Sequence, residues 1–230
     1  MILLLPQATE SFNKLFLEMI SASKANLFLE KSFKSYDMES VSKIVMLVLE
    51  NEIIENYLHQ FLQNQVIKYE LIVLKKETSG SICTSLMAIN SLKNHSVIIS
   101  ALDQVIDNKK MNFTKFLQED NFDIIVPTYS STDSSLCYAL RDENGYVIQL
   151  FEKKVVSKEA ILGIYFIKNF SDFYQNCYEL LIKYKGFKNR IFYNSDVINN
   201  FIGKGSKCNF PSTKVSYTKI RSLDDLDQLL

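Results

Sequence analysis

Five short apolar runs, at residues 1–5, 44–49, 71–74, 97–101 and 122–126, constrain the fold of this chain more than any other feature. Each run is continuous rather than alternating, the pattern of a strand buried on both faces in a parallel sheet covered by helices. Amphipathic stretches lie between them. Ser11 is placed to cap a helix with Phe12, Leu15, Phe16, Met19 and Ile20 on one face. Asn51 is placed to cap a second, with Ile54, Tyr57, Leu58, Phe61 and Leu62 inward, and Ile82, Ser85, Leu86, Ile89 and Leu92 make a third apolar face. Strand–helix alternation of this kind predicts a doubly wound α/β sheet. The 230 residues show no sharp composition break, so a single domain over 1–230 is expected.

After Pro127 the pattern changes. Residues 137–141 and 146–152 flank Asp142-Glu143-Asn144-Gly145, a strong hairpin turn. Residues 160–168 read as one further strand. Ser171 is placed to open a helix carrying Phe173, Cys177, Leu180, Leu181 and Tyr184, and another helix is expected over 195–202 with Gly203 just past its end. Residues 214–220 alternate weakly, as an edge strand does, and Ser222 with Asp225 resembles a capping box for a last helix ending in Leu226, Leu229 and Leu230.

Composition narrows the function. Hydrophobic residues make up 47%, enough for a core, and 26 basic residues balance 26 acidic ones, so nothing argues for a nucleic-acid partner. No apolar run approaches the roughly 20 residues that span a bilayer, and the apolar start is too short for a signal segment. Cys83, Cys137, Cys177 and Cys208 are far apart and form no C-x-x-C, which points to a reduced, cytoplasmic setting. With only His59 and His95, a His-rich zinc site and a Ser-His-Asp triad are both hard to assemble. The apolar share is compatible with a homodimer without demanding one.

The chemistry concentrates between Glu77 and Asp107. Thr78-Ser79-Gly80-Ser81 is a glycine-containing turn into a helix, where backbone N–H groups can face an anion. The run that follows ends at Asp103, a carboxylate at the carboxyl end of a buried strand and so a candidate ligand for a divalent cation, with capping of the next helix as the alternative role. Asp107 reads as a solvated helix-start residue.

These residues, in this order, resemble the sugar nucleotidyltransferase family. Thr78-Ser79-Gly80-Ser81-Ile82-Cys83-Thr84 is similar to the family's T-x-G-A-A-C-T element. Ser100-Ala101-Leu102-Asp103-Gln104 resembles its S-D-Q turn, with a departure between the serine and the aspartate. Asp142-Glu143-Asn144-Gly145, Glu152-Lys153-Lys154 and Gly163-Ile164-Tyr165 resemble its D-E-N-G, E-K-x and V-G-I-Y series, and Phe192-Tyr193 and Ser222-Leu223-Asp224-Asp225-Leu226 its closing F-Y and T-P-E-D-L elements. The resemblance implies a Rossmann-like, mixed, mostly parallel sheet with helices on both faces, the three-layer glycosyltransferase-A type. It implies a Mg²⁺-dependent reaction of a nucleoside triphosphate with a sugar 1-phosphate, serving surface polysaccharide synthesis. Carried over residue by residue, Asp103 would be the metal carboxylate and Lys153 the grip on the sugar phosphate. Thr78 and Gly80 would approach the nucleotide, Lys24 would stand for the family's P-K lysine as a further nucleotide-binding residue, and Asp196 would be a second metal carboxylate.

The likeness covers the chain from about Ile44 onward and fails before it. The family's first strand runs into a loop of the form P-A-A-G-x-G-S-R-F; here the segment is Pro6-Gln7-Ala8-Thr9-Glu10-Ser11-Phe12, with no glycine and no arginine. Glycine lets backbone amides approach a triphosphate and arginine offsets its charge, whereas Glu10 adds a negative charge there. Three readings therefore stand together: an active transferase, a non-catalytic binding or scaffold relative, and a glycosyltransferase of the same fold. The last would want an Asp-x-Asp motif that Leu102-Asp103-Gln104 does not supply.

Overall fold

The computed structural model of the chain describes residues 1–106, 121–185 and 190–229. Asp107 and Leu230 lie outside the described residues. The first half of the chain contributes β1 (Ile2–Pro6), α1 (Glu10–Ser21), α2 (Ala25–Phe33), β2 (Lys43–Leu49), α3 (Glu52–Gln63), β3 (Lys68–Leu74), α4 (Ser81–Leu86), α5 (Ile89–Leu92), β4 (Val97–Ile99) and β5 (Gln104–Ile106). The second half contributes β6 (Ile124–Ile125), β7 (Thr128–Ser130), β8 (Cys137–Arg141), β9 (Val147–Glu152), β10 (Glu159–Ile161) and β11 (Tyr165–Ile167). It ends with α6 (Phe170–Lys183), α7 (Asn194–Gly203), β12 (Cys208–Asn209), β13 (Tyr217–Lys219) and α8 (Leu223–Asp227).

The main sheet has seven strands in the order β12-β6-β11-β4-β1-β2-β3. All pairs are parallel except those of β11, which runs antiparallel to both β4 and β6. The fold is the expected mixed, mostly parallel α/β sheet between two helical layers. Its residues show why the apolar runs are continuous. In β1, Ile2 and Leu4 pack into one layer while Leu3 and Leu5 pack into the other, so every position of the strand is covered.

The α1–α3 layer closes on Phe16, which is fully buried, with ring centroids of Phe12 at 5.5 Å, Phe28 at 6.0 Å and Tyr57 at 5.7 Å. The opposite layer closes on Phe170, Phe173 and Phe201 from α6 and α7. Truncating such a ring costs about 3–5 kcal/mol. Among the described residues, no helix is long and apolar enough to cross a membrane.

The structure corrects several expected elements. Residues 71–74 belong to a strand on the sheet edge, with Val73 exposed, because β3 has a neighbour only on one side. Residues 160–168 are two strands: β10 joins a four-stranded antiparallel sheet, β7-β10-β8-β9, and β11 joins the main sheet. The third apolar face is split between α4 and α5. Thr9, not Ser11, caps α1, since its extended backbone lets its hydroxyl accept the Phe12 amide at 3.1 Å. Asn169 caps α6 in place of Ser171. The helix from Asn194 runs through Gly203, and Gly205 takes the left-handed position at φ +74°. There the Ser206 amide donates to the Phe201 carbonyl and the Gly205 amide to that of Ile202, the paired bonds that close a helix. Asn51 caps α3 as expected, and the 142–145 turn joins β8 to β9. Ser222 caps α8, accepting the Asp225 amide at 3.2 Å.

Strand order also locates the cleft. The chain steps from β1 to β2 to β3 in one direction, then crosses back so that β4 lies on the other side of β1. A crevice opens beyond the carboxyl ends of strands at such a reversal, and ligands of open α/β sheets bind there.

Candidate functional site

A cavity of about 350 Å³ occupies that crevice, floored by Pro6 at the end of β1 and by Ser100 and Ala101 after β4. Glu152 at the end of β9 and Tyr193 and Asn194 at the start of α7 form one wall. A second cavity, of about 340 Å³, adjoins it on the α1 side and holds Asp103; Pro6, Ala101, Lys219 and Arg221 line both.

The floor is held from below by polar groups inside the α2 layer. The Tyr36 hydroxyl lies 3.0 Å from the Ser100 hydroxyl and 3.0 Å from the Ala101 carbonyl. The Ser32 hydroxyl donates to the Leu102 carbonyl at 2.7 Å, and the Ser35 hydroxyl accepts the Ile106 amide at 2.8 Å. Burial pushes the Tyr36 phenol far above its ordinary range, so it stays a neutral donor. Ser32 and Ser35 lie on and just past an otherwise apolar helix face, a signal that a sequence reading could have used.

The wall is fixed by α7. The Asn199 side chain accepts the Leu150 amide at 2.7 Å and donates to the Leu150 carbonyl at 2.9 Å, satisfying the open edge of β9. Glu152 accepts the Ser195 hydroxyl at 2.9 Å. Cys137 is buried in the same wall, and burial with the nearby Glu152 carboxylate pushes its thiol far up. Lys153, the residue after β9, has φ +54°, an unfavourable region for a side chain of its kind. Its ammonium lies 5.5 Å from the ring centroid and 3.4 Å from the hydroxyl of Tyr193, which lines the cavity.

The other sequence-predicted residues are placed as follows. Asp103 sits in a turn into a strand, so it caps no helix. One of its oxygens, Oδ2, is 2.7 Å from the Lys219 ammonium, and Oδ1 is buried with no hydrogen-bond partner among the described residues. Asp196 is in the first turn of α7, where its carboxylate accepts the Tyr193 amide at 3.0 Å and an Arg190 guanidinium N–H at 3.2 Å. Lys24 precedes α2 and pairs with Asp227 of α8 at 2.7 Å. Thr78 donates to the Gly80 carbonyl at 3.0 Å and shares a 2.6 Å contact with the Thr84 hydroxyl. Gly80 has φ +111° and lies against the Phe192 backbone, while its neighbour Ser81 reaches the larger cavity. The structure thus places Asp103 in the smaller cavity and Lys153 beside Tyr193, a lining residue of the larger one, and engages Asp196 and Lys24 in pairs.

The loop after β1 is occupied from within. The Glu10 amide, at the start of α1, donates to the Glu77 carboxylate, so an internal anion takes a donor that a phosphate would otherwise meet. Sequence reading missed Glu77, Lys219 and Arg221 because each meets its partner across a long stretch of chain.

The donor set around Asp103 is a poor match for a divalent cation. Mg²⁺ sits between one or two carboxylates and substrate phosphates with waters in octahedral array. Here, among the described residues, the one carboxylate lining the smaller cavity is Asp103, which is paired with Lys219, and Arg221 lines the same cavity. A cation at Oδ1 would share the carboxylate with the Lys219 ammonium and be repelled by it.

No protein-family model and no curated protein matches the chain. Solved structures do. The chain is similar to a nucleoside-diphosphate-sugar pyrophosphorylase from Vibrio cholerae RC9, at 17% identity and TM-score 0.76 over 100% of this chain and 99% of that one. It is similar to a putative glucose-1-phosphate thymidylyltransferase from Bacillus anthracis, at 14% identity and TM-score 0.76 over 99% and 92%. A third likeness is to the inositol-1-phosphate CTP transferase from T. maritima, at 13% identity and TM-score 0.69 over 97% and 90%. At these identities the likeness establishes a shared fold.

Proposed function

We propose that the cleft takes the ligands of sugar nucleotidyl transfer, a phosphorylated sugar and a nucleotide or the nucleotide sugar that joins them, in the service of surface polysaccharide synthesis. The observation that carries this reading is the cavity at the strand-order reversal, lined at its far side by Glu152 and Tyr193, with Lys153 against Tyr193. Glu152 can accept sugar hydroxyls, and the Lys153 ammonium, held beside Tyr193, can pair with a sugar phosphate. In the transfer itself an oxygen of the sugar phosphate attacks the α-phosphorus of a triphosphate, the new phosphoanhydride forms, and pyrophosphate leaves. Positioning and charge compensation supply most of such catalysis.

A second reading, binding without turnover, is favoured by the Glu10–Glu77 contact. A carboxylate already on the loop amide, and no glycine or arginine in that loop, leave little to hold a triphosphate. Thermal unfolding with a panel of nucleoside triphosphates, sugar phosphates and nucleotide sugars, with and without Mg²⁺, tests both. A ligand at about 100 times its dissociation constant adds ~2.7 kcal/mol of stability. A shift with a nucleotide sugar and release of pyrophosphate from its precursors supports the transferase. A shift without turnover supports the second reading, and no shift with any member of the panel sinks both.

A further inference from the structure

We propose that Lys219 and Arg221 form a phosphate seat that works without a divalent cation, side-chain charges standing beside Asp103, the residue that the resemblance would make a metal ligand. The ligand class, a diphosphate-bearing nucleotide sugar, rests on the reading above; the seat itself rests on geometry. Lys219 ends β13 and Arg221 lies two residues on, so in extended chain the two side chains leave on the same side while Ile220 between them is buried at 1% exposure. Both line both cavities, at the junction between the sugar side and the loop side of the cleft.

Their backbone is pinned at both ends. The Ile220 amide donates to the Asp103 carbonyl at 2.8 Å, and the Arg221 amide to the Asp225 carboxylate at 2.7 Å. Their side chains are aimed as well. Asp103 holds the Lys219 ammonium at 2.7 Å, and Ser135 accepts an Arg221 guanidinium N–H at 3.1 Å across the mouth of the larger cavity. Asp133 lies 3.7 Å from the same guanidinium, in an exposed position where water screens the pair. Arg221 is 55% exposed at its side chain and so keeps donors free for an anion, with a fork geometry that matches two phosphate oxygens. Asp103 acts here as a positioning residue for Lys219.

Titration calorimetry of the full chain with inorganic pyrophosphate, in buffer containing EDTA, tests the seat. Binding is expected in EDTA, and Arg221→Met, which leaves the Asp103–Lys219 pair intact, is expected to weaken it at least tenfold; Lys219→Met is expected to do the same. Absence of binding in EDTA with binding restored by Mg²⁺ overturns the proposal, as does unchanged affinity in Arg221→Met. Pyrophosphate binding without any response to nucleotide sugars or sugar phosphates fails the ligand reading and supports the seat. The reverse pattern fails the seat alone.

Discussion

The backbone of Gly80 rests on that of Phe192: a Cβ at residue 80 would fall 2.4 Å from the Phe192 carbonyl oxygen and 2.8 Å from its amide nitrogen. The Phe192 amide donates to the Ser79 carbonyl at 2.8 Å, so the turn before α4 and the strand-like entry to α7 dock as one unit. Gly80→Ala meets both this contact and an unfavourable φ of +111°, and is expected to cost at least ~2 kcal/mol in urea unfolding. A loss below about 0.5 kcal/mol, the range of a neutral surface change, would show that the two segments are not docked.

Lys153 shares the positive φ but carries a side chain there, and its ammonium rests on Tyr193. Lys153→Gly relieves the left-handed penalty and should raise stability by about 1 kcal/mol. The same variant should weaken sugar-phosphate binding. Lys153→Met should weaken binding equally with no stability gain. If both variants bind as the parent does, Lys153 is not at the ligand.

Asp196 is expected to be a helix-capping residue. Asp196→Ala removes the acceptor for the Tyr193 amide and the partner of Arg190, and should lower stability by about 1 kcal/mol. Ligand affinity should change less than threefold. A large loss of Mg²⁺-dependent affinity at unchanged stability would place the carboxylate in a cation site instead.

Alkaline pH should destabilise the protein. Burial raises the Cys208 thiol to about 12 from an ordinary 9.0 and the Tyr129 phenol to about 12 from 10.0. It pushes Cys137, Cys177, Tyr36 and Tyr217 higher still. Each folded-state value lies above the unfolded one, so the unfolded chain releases its protons first. The stabilisation is complete below about pH 9 and is lost as pH rises through the folded values. Urea midpoints should therefore fall steadily from pH 8.5 to 11 (about the range that chemistry permits); a flat profile would contradict the burial of these groups.

The central strands were readable because coverage on both faces forces every residue to be apolar, as in β1 and β2. The same composition in 71–74 and 160–168 misled for a topological reason. A sheet edge and a passage between two sheets look alike in a string of apolar side chains, and only Gly163 marks the passage. Cap positions were uncertain by two residues because Thr9 and Ser11, or Gly203 and Gly205, carry the same chemistry and differ only in backbone angle. Asp103 could be placed in the cleft from its strand-end position alone. Its partner could not, because the Asp103–Lys219 contact joins segments that meet only when β13 pairs with β5.

The placement of β11 has a consequence for how the chain can be divided. Because β11 slots between β4 and β6, a fragment ending at residue 106 would leave β4 paired with β1 on one side and with nothing on the other. Val97, Ile98 and Ile99, each no more than 1% exposed in the whole protein, would become a bare hydrophobic margin with unpaired N–H and C=O groups. Such a margin is a template for pairing with other chains. The two halves of this protein therefore protect each other from aggregation, and neither is a safe unit to express alone.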